Sequence, residues 1–232
     1  MGSNRAQLEK KVAELTNKTK LNKQVVQSLV EHYQQKCKDK GLDRDTVRDD
    51  LMNQFDMLDD FLLDRIFRTF DISANTQHLK LDDYVMGMAT FLTGNLEDKM
   101  RFCFNVYDLN GDGYITREEM FQFLKNSMVT KSHDADQDDA DEGIKELTEL
   151  ALKKLDHDDH DGRVSFKDFQ AAVSGDKLLL ESLGQCLPDE KARCRYLKML
   201  GDPDMNHQPT TITAKNRVST AKRTKFSEQQ RA

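Results

Sequence analysis

The residues best placed to do chemistry are Asp108, Asn110, Asp112, Gly113 and Glu119, all within the twelve-residue stretch DLNGDGYITREE. Their order satisfies D-x-[DN]-x-[DN]-G-x5-E throughout. Such a stretch suits a hard divalent cation, calcium above all, which takes six to eight oxygens at about 2.3–2.6 Å. Asp108, Asn110 and Asp112 would supply side-chain oxygens, Tyr114 its backbone carbonyl, and Thr116 an oxygen directly or through water. Glu119 would close the shell with both carboxylate oxygens, and Gly113 makes a turn that a side chain would obstruct. Thr116 and Glu119 also have the spacing of a capping box for the helix that leaves the loop. Ile115 is expected to pair, as a short strand, with a partner loop.

A second acidic stretch, DHDDHDGRVSFKD, has the materials but not the spacing. Leu152 and Leu155 end an apolar helix and point to Asp156 as the first ligand, while Phe169, Ala172 and Val173 point to Asp168 as the last. That span is one residue too long. Counting back from Gly162 instead puts His157 first, a poor ligand for a hard cation. The stretch therefore holds an insertion. Asp156, Asp158 (or Asp159), Asp161 and Asp168 are its candidate metal ligands, for calcium bound more weakly or for magnesium. Asp168 is one methylene shorter than the usual Glu. His157 and His160 could suggest a transition metal, but a solvated loop explains them better. A third stretch starts at Asp71, with Ser73 and Asn75 at ligand spacing, but has Thr76 for the turn glycine and another inserted residue before Asp83. It reads as structural. The segment near Gly41 has no ligand pattern and reads as a cryptic partner for it.

The elements that must position these loops are helices. Apolar residues recur at helical spacing in Val25, Val26, Leu29, Val30 and Tyr33; in Leu63, Ile66, Phe67 and Phe70; and in Met100, Phe104 and Tyr107. Asp43 and Asn95 are placed to cap helices, and Gly94 ends one. The unit helix–polar loop–helix recurs at loops near 41, 71, 108 and 156. The pattern predicts an all-α, two-lobed EF-hand fold whose paired loops are joined by a short antiparallel strand pair. The expected organisation is a basic segment over 1–20, a first lobe over 21–94, a second lobe with a C-terminal helix over 95–200, and a basic tail of disordered composition over 201–232. The first helix is expected from Leu21, another from Gly143 after an acidic linker, and a last apolar one over Leu178–Leu183, which could fill the second lobe's groove from within the chain.

Residues 1–23 carry +4 and residues 207–232 carry +5, which leaves the chain between them at −15 against a formal net charge of −6. An acidic body with two basic ends suits cation binding in the middle and an acidic polymer at the tail. The four cysteines show neither CxxC pairing nor disulfide-like spacing, so free thiols are expected. No apolar run approaches the ~20 residues of a membrane span. No signal peptide is read, and Ala6 stands where a myristoylation motif needs Ser or Thr. No nucleophile–base pair or phosphate-binding glycine loop occurs, so no catalytic residue is assigned and an enzyme is not expected.

The segments LDRIFRTFD, GNLEDKMRFCFNVYDLNGDGYITREEMFQFLKNS, DEGIKELTELALKKLDHD and LLLESLGQCLPD resemble the calaxin family, EF-hand proteins of ciliary axonemes distantly related to the neuronal calcium sensors. The resemblance spans most of residues 42–190. It implies calcium-dependent regulation of outer-arm dynein on doublet microtubules, with axonemal dynein heavy chain and tubulin as partners. It further implies a location in the axoneme of a cilium or flagellum. The chain is expected in the cytoplasm, as a monomer within a larger complex. The alternatives are a neuronal-calcium-sensor-like or a calcineurin-B-like regulatory subunit. No nucleic acid partner is expected. The chain departs from the family's pattern in the insertions at the 71 and 156 loops and in the length of its basic tail.

Overall fold

Helices begin where the capping residues stand. The computed structural model describes residues 2–37, 40–71, 77–129, 137–157 and 160–206. Its first half contains α1 (Gly2–Thr19), α2 (Lys23–Lys36), β1 (Leu42–Asp43), α3 (Arg44–Phe55), α4 (Asp60–Phe70), β2 (His78–Leu79) and α5 (Leu81–Thr93). The second half contains α6 (Leu96–Tyr107), β3 (Tyr114–Thr116), α7 (Arg117–Val129), α8 (Gln137–Leu155), β4 (Arg163–Ser165), α9 (Phe166–Gly175) and α10 (Glu190–Met199). Asp43 accepts from Thr46 N at 2.8 Å and Asp59 from Leu62 N at 3.0 Å. Asn95 and Asp98 exchange bonds in a capping box. Each such cap is worth about 1 kcal/mol.

The fold is the predicted all-α pair of EF-hand lobes. β1 pairs antiparallel with β2, Leu42 opposite Leu79, and β3 with β4, Ile115 opposite Val164. The segment near Gly41 thus joins the 71 loop, and the 108 loop joins the 156 loop. Gly94 and Asn95 alone separate α5 from α6. The lobes share one continuous core at this joint. The Phe91 ring stands 5.8 Å from Phe55, 5.2 Å from Phe70 and 5.4 Å from Phe102, which come from α3, α4 and α6. Helix α5 comes so close to α4 that a Cβ at Gly87 would lie 2.5 Å from the Phe70 ring.

Several boundaries differ from those read in the sequence. Residues 2–19 form a helix ahead of the one expected at Leu21. Its apolar stripe is thin, Leu8, Val12 and Leu15, but Val12 and Leu15 are buried, and the helix lies against α2 and α5. Lys11 ties it to Asp82 at 2.7 Å. Helix α8 starts at Gln137, not Gly143, and so takes in part of the acidic linker. The expected helix over Leu178–Leu183 is instead a five-residue 3-10 turn, Lys177–Glu181. Leu178 is 86% exposed while Leu183 is buried, so the leucine run has no helical face to bury. Gly184 and Pro188 then bar a longer helix. The turn touches α6 and α9 of the second lobe but buries none of its five residues, so it does not fill that lobe's groove as a helix would.

The last helix is α10, which starts from an Asp189 cap and buries Ala192, Tyr196 and Leu197. It follows the second lobe in sequence but packs on α3 and α5 of the first, with the Tyr196 ring 5.0 Å from Phe55. Arg193 donates to Leu92 O at 2.8 Å and Arg195 to Gln54 O at 2.9 Å, so α10 also caps the ends of α5 and α3. The basic tail from 207, the linker residues 131–136, and Ser73, Asn75 and Thr76 lie outside the described residues.

Candidate metal centre

Helix α6 delivers Asp108 into the first acidic loop. The backbone N–H of Asp108 still donates to Phe104 O at 2.9 Å, so the carboxylate sits at the point where the helix ends. One of its oxygens accepts from Gly111 N at 2.7 Å and the other from Gly113 N at 2.9 Å. Those bonds require the chain to turn back sharply, and Gly111 and Gly113 do so with φ of +74° and +88°. Nothing lies within 4 Å of a Cβ at either, so backbone conformation and not space selects glycine. Asn110 Oδ1 accepts from Asp112 N at 2.8 Å, and Asp112 Oδ1 from Tyr114 N at 2.9 Å. The loop is a chain of side chains holding the backbone ahead of them, Asn110 and Asp112 two residues on and Asp108 three and five.

Helix α7 delivers Glu119. Its Oε2 accepts from Thr116 N and Oγ1, both at 2.8 Å, and its N–H donates back to Thr116 Oγ1 at 3.3 Å, which is the capping box read in the sequence. Its Oε1 crosses the loop to accept from Leu109 N at 2.8 Å and Asn110 N at 3.2 Å. Residue 119 therefore folds back onto the start of the loop. Asp108 and Glu119 are both buried. Asp108 and Glu119 put two buried carboxylates on one loop, and among the described residues neither they nor the exposed Asp112 has a cationic side chain within ion-pair distance. Buried charge of one sign is costly unless a counter-charge joins it. This donor set, all hard oxygens with no thiolate or imidazole, fits calcium. The carboxylates grip amide protons here, and among the described residues no three acidic, Cys or His side chains converge as a ready-made cluster. A cation would draw Asp112 and Glu119 inward, with the Asn110 side chain and the Tyr114 carbonyl completing the oxygens.

The second loop repeats the first with one extra residue. Asp156 is buried at the end of α8 and accepts from Gly162 N at 3.0 Å, six residues on, where Asp108 reaches Gly113 at five. The left-handed pair is His160 (φ +53°) and Gly162 (φ +87°), spaced as Gly111 and Gly113 are. From that pair onward the loops run in step, through the turn at Asp161 to the paired strands. The inserted residue thus falls before His160, and Asp156 rather than His157 starts the loop. The other carboxylate oxygen of Asp156 is buried with no hydrogen-bond partner among the described residues. Asp158 lies outside them. His160 Nδ1 stands 2.8 Å from Asp156 O, so this ring nitrogen is occupied by backbone.

Asp161 and Asp168 are placed differently from what their spacing suggests. Both Asp161 oxygens are taken by Arg163, from its N–H at 3.0 Å and its Nε at 2.8 Å. The guanidinium also lies 4.1 Å from the centre of the Tyr114 ring, across the strand pair. The hydrogen bond from Arg163 holds the Asp161 carboxyl below its usual pKa range. A basic side chain thus competes with metal for this carboxylate. Asp168 is buried and caps α9 in a box with Ser165, a bond to its Oδ2 coming from Ser165 N at 3.1 Å. Motif spacing could not reveal Arg163, because at its position only the backbone carbonyl is read. Arg163→Gln is expected to raise metal affinity at the second loop severalfold. Calorimetry in a Glu119→Gln background, where the first loop is silent, measures that site alone, and unchanged affinity there refutes the competition.

One further residue was invisible to the motif. Arg65, on α4, donates to four carbonyls where α6 becomes the first loop: Asn105 O at 3.3 Å, Val106 O at 3.1 Å, Asp108 O at 2.7 Å and Leu109 O at 3.4 Å. These are groups that a helix leaves without partners at its end.

The family described as an EF-hand domain pair matches residues 97–174, the stretch that holds both loops. The chain is 51% identical to Calaxin of Xenopus laevis over 152 residues, 66% of this chain and 71% of that protein. It is 47% identical to Calaxin of Homo sapiens over 165 residues, 71% of this chain and 76% of that protein. Calcineurin B of Yarrowia lipolytica is 32% identical over 115 residues, 49% of this chain and 61% of that protein.

Proposed function

We propose, for a chain that belongs to the calaxin family of calcium-binding EF-hand proteins, that it is a calcium-responsive adaptor of outer-arm dynein on the doublet microtubules of a cilium or flagellum. The observation that carries the calcium half of this reading is the pair of buried carboxylates, Asp108 and Glu119, brought from two helices to one twelve-residue loop. Calcium bound there supplies the divalent charge those carboxylates lack. Asp108 and Asp112 would face it from the first half of the loop and Glu119 from the second, so that α6 and α7 are drawn into one fixed relation. Asp156 and Asp168, with Asp158 and Asp161, make the 156 loop a second and weaker site, open to magnesium as well. Binding and not catalysis is the mode of action.

The partner half rests on family membership and on charge. The tail over 207–232 carries +5, which suits the acidic surface of tubulin. No helix among the described residues is long and apolar enough to cross a membrane. The likeness to calcineurin B favours a second reading, a regulatory subunit of an enzyme. Recovery of bound proteins from detergent-extracted cilia, with calcium and with a chelator, separates the two. The axonemal reading expects dynein heavy chain or tubulin with the full-length chain, in amounts that calcium changes. Recovery of an enzyme's catalytic subunit without either overturns it.

A further inference from the structure

Helix α4 belongs to the first lobe by its packing. Ile66, Phe67 and Phe70 are buried, and the Phe70 ring meets Phe91 of α5 at 5.2 Å. Yet α4 also touches both helices of the 108–119 loop. Near its middle, Arg65 forks across the last turn of α6 and the first two loop residues. At its start, the Phe61 ring packs edge-on against Phe123 of α7 at 5.1 Å. Beside Phe61, Leu62 is pressed against the chain after the 3-10 turn, where a Cβ at Gly184 would lie 2.5 Å from its methyl. Arg65 is partly buried, and among the described residues no carboxylate oxygen is within ion-pair distance of it. Its charge faces the negative end of α6 instead. A guanidinium has the planar array of donors needed to hold several carbonyls at once.

The two feet of α4 cannot both survive a change in the angle between α6 and α7. Sensor hands change that angle by about 40° on binding calcium. Phe123 lies about 9 Å along α7 from the start of that helix at Arg117, so a change of that size about its start moves the ring by roughly 6 Å. A ring contact at 5.1 Å does not follow such a movement while Arg65 keeps α6 in place. Either the contact breaks or α4 shifts in the first lobe.

We infer that α4 is a strut that carries the state of the 108–119 loop into the first lobe, with Arg65 as the positioning residue that fixes it to α6. The inference rests on that loop being the calcium site. By linkage, what the strut transmits outward also acts back on calcium affinity. The test is hydrogen exchange over 60–93, with calcium and with a chelator, beside calorimetry on the same samples. In the wild type, calcium is expected to change exchange in α4 and α5 by about thirtyfold, the middle of the usual coupling range. Arg65→Met keeps the length of the stem but removes the donors. It should still give calcium heat at the loop, with the change confined to 96–129. Arg65→Lys keeps the charge and not the fork, and should lose most of the first-lobe response too. Phe61→Ala tests the other foot, and decides the matter should Arg65→Met fail to fold. A wild-type-sized response in folded Arg65→Met, or in Phe61→Ala where that variant decides, overturns the inference. So does a wild type that binds calcium without any change in 60–93. A wild type that gives no calcium heat overturns the calcium reading itself, and the strut falls with it.

Discussion

Glu119→Gln weakens calcium binding by about a hundredfold, the ~3 kcal/mol expected when one member of a buried, hydrogen-bonded charge set loses its charge. The substitution is chosen because it spares the fold. Glutamine still serves in a capping box, so α7 keeps its start at Thr116. The difference lies at the other oxygen. Glu119 Oε1 accepts from Leu109 N at 2.8 Å and Asn110 N at 3.2 Å. A glutamine that points its amide nitrogen there sets donor against donor. One that turns over loses the Thr116 bonds instead. In either orientation the loop has one acceptor fewer and one negative charge fewer to offer a divalent cation. Calorimetry should show the tight site lost, while thermal melting in a chelator changes little. Equal affinity in wild type and variant would remove Glu119 from the ligand set.

Phe91→Ala is expected to cost about 3–5 kcal/mol of stability, the range for a buried aromatic truncated in a core that cannot collapse. Phe91 is buried among Phe55, Phe70 and Phe102. Those rings come from α3, α4 and α6, so the cavity would open where the two lobes meet and not within either one. The loss should therefore appear also as a loss of cooperativity. Wild-type unfolding in urea is expected to follow one transition by every probe. In the variant, the signal of Tyr114 in the 108–119 loop and the bulk helix signal should part company. A cost below about 1 kcal/mol, far under the truncation range, or a transition that stays single, would mean that the joint is less shared than the ring contacts make it.

The first acidic loop was legible in the sequence because its geometry is local. Asp108, Asn110 and Asp112 hold backbone amides two to five residues on, and Glu119 holds those of Thr116 and of the loop's start. Such bonds depend on spacing, and spacing is what a sequence shows. The capping box at Thr116 and the pairing of Ile115 with the partner loop were readable for the same reason. The second loop was half readable. The sequence showed one residue too many; the backbone turns at His160 and Gly162 decided where the extra residue sits.

The rest depended on surfaces that the chain meets only after folding. Residues 2–19 look like a polar basic segment until α2 and α5 offer a face for Val12 and Leu15. The leucines at 178–183 look like a helix until Asp176, Gly184 and Pro188 leave them room for one turn. Arg65 reaches carbonyls 40 and more residues away, and Arg163 covers Asp161 with a side chain whose motif position is defined by its carbonyl. By itself the sequence determined most of the helices from α2 to α9, their pairing into hands and a candidate set of oxygens at 108–119, since each follows from hydrogen bonds or apolar periodicity within a few residues. Tertiary structure alone decided that the lobes share a core, that α10 returns to the first of them, and that α4 stands on both helices of the candidate calcium site. Those contacts join residues far apart in the chain, and no local pattern encodes which distant surface a helix will find.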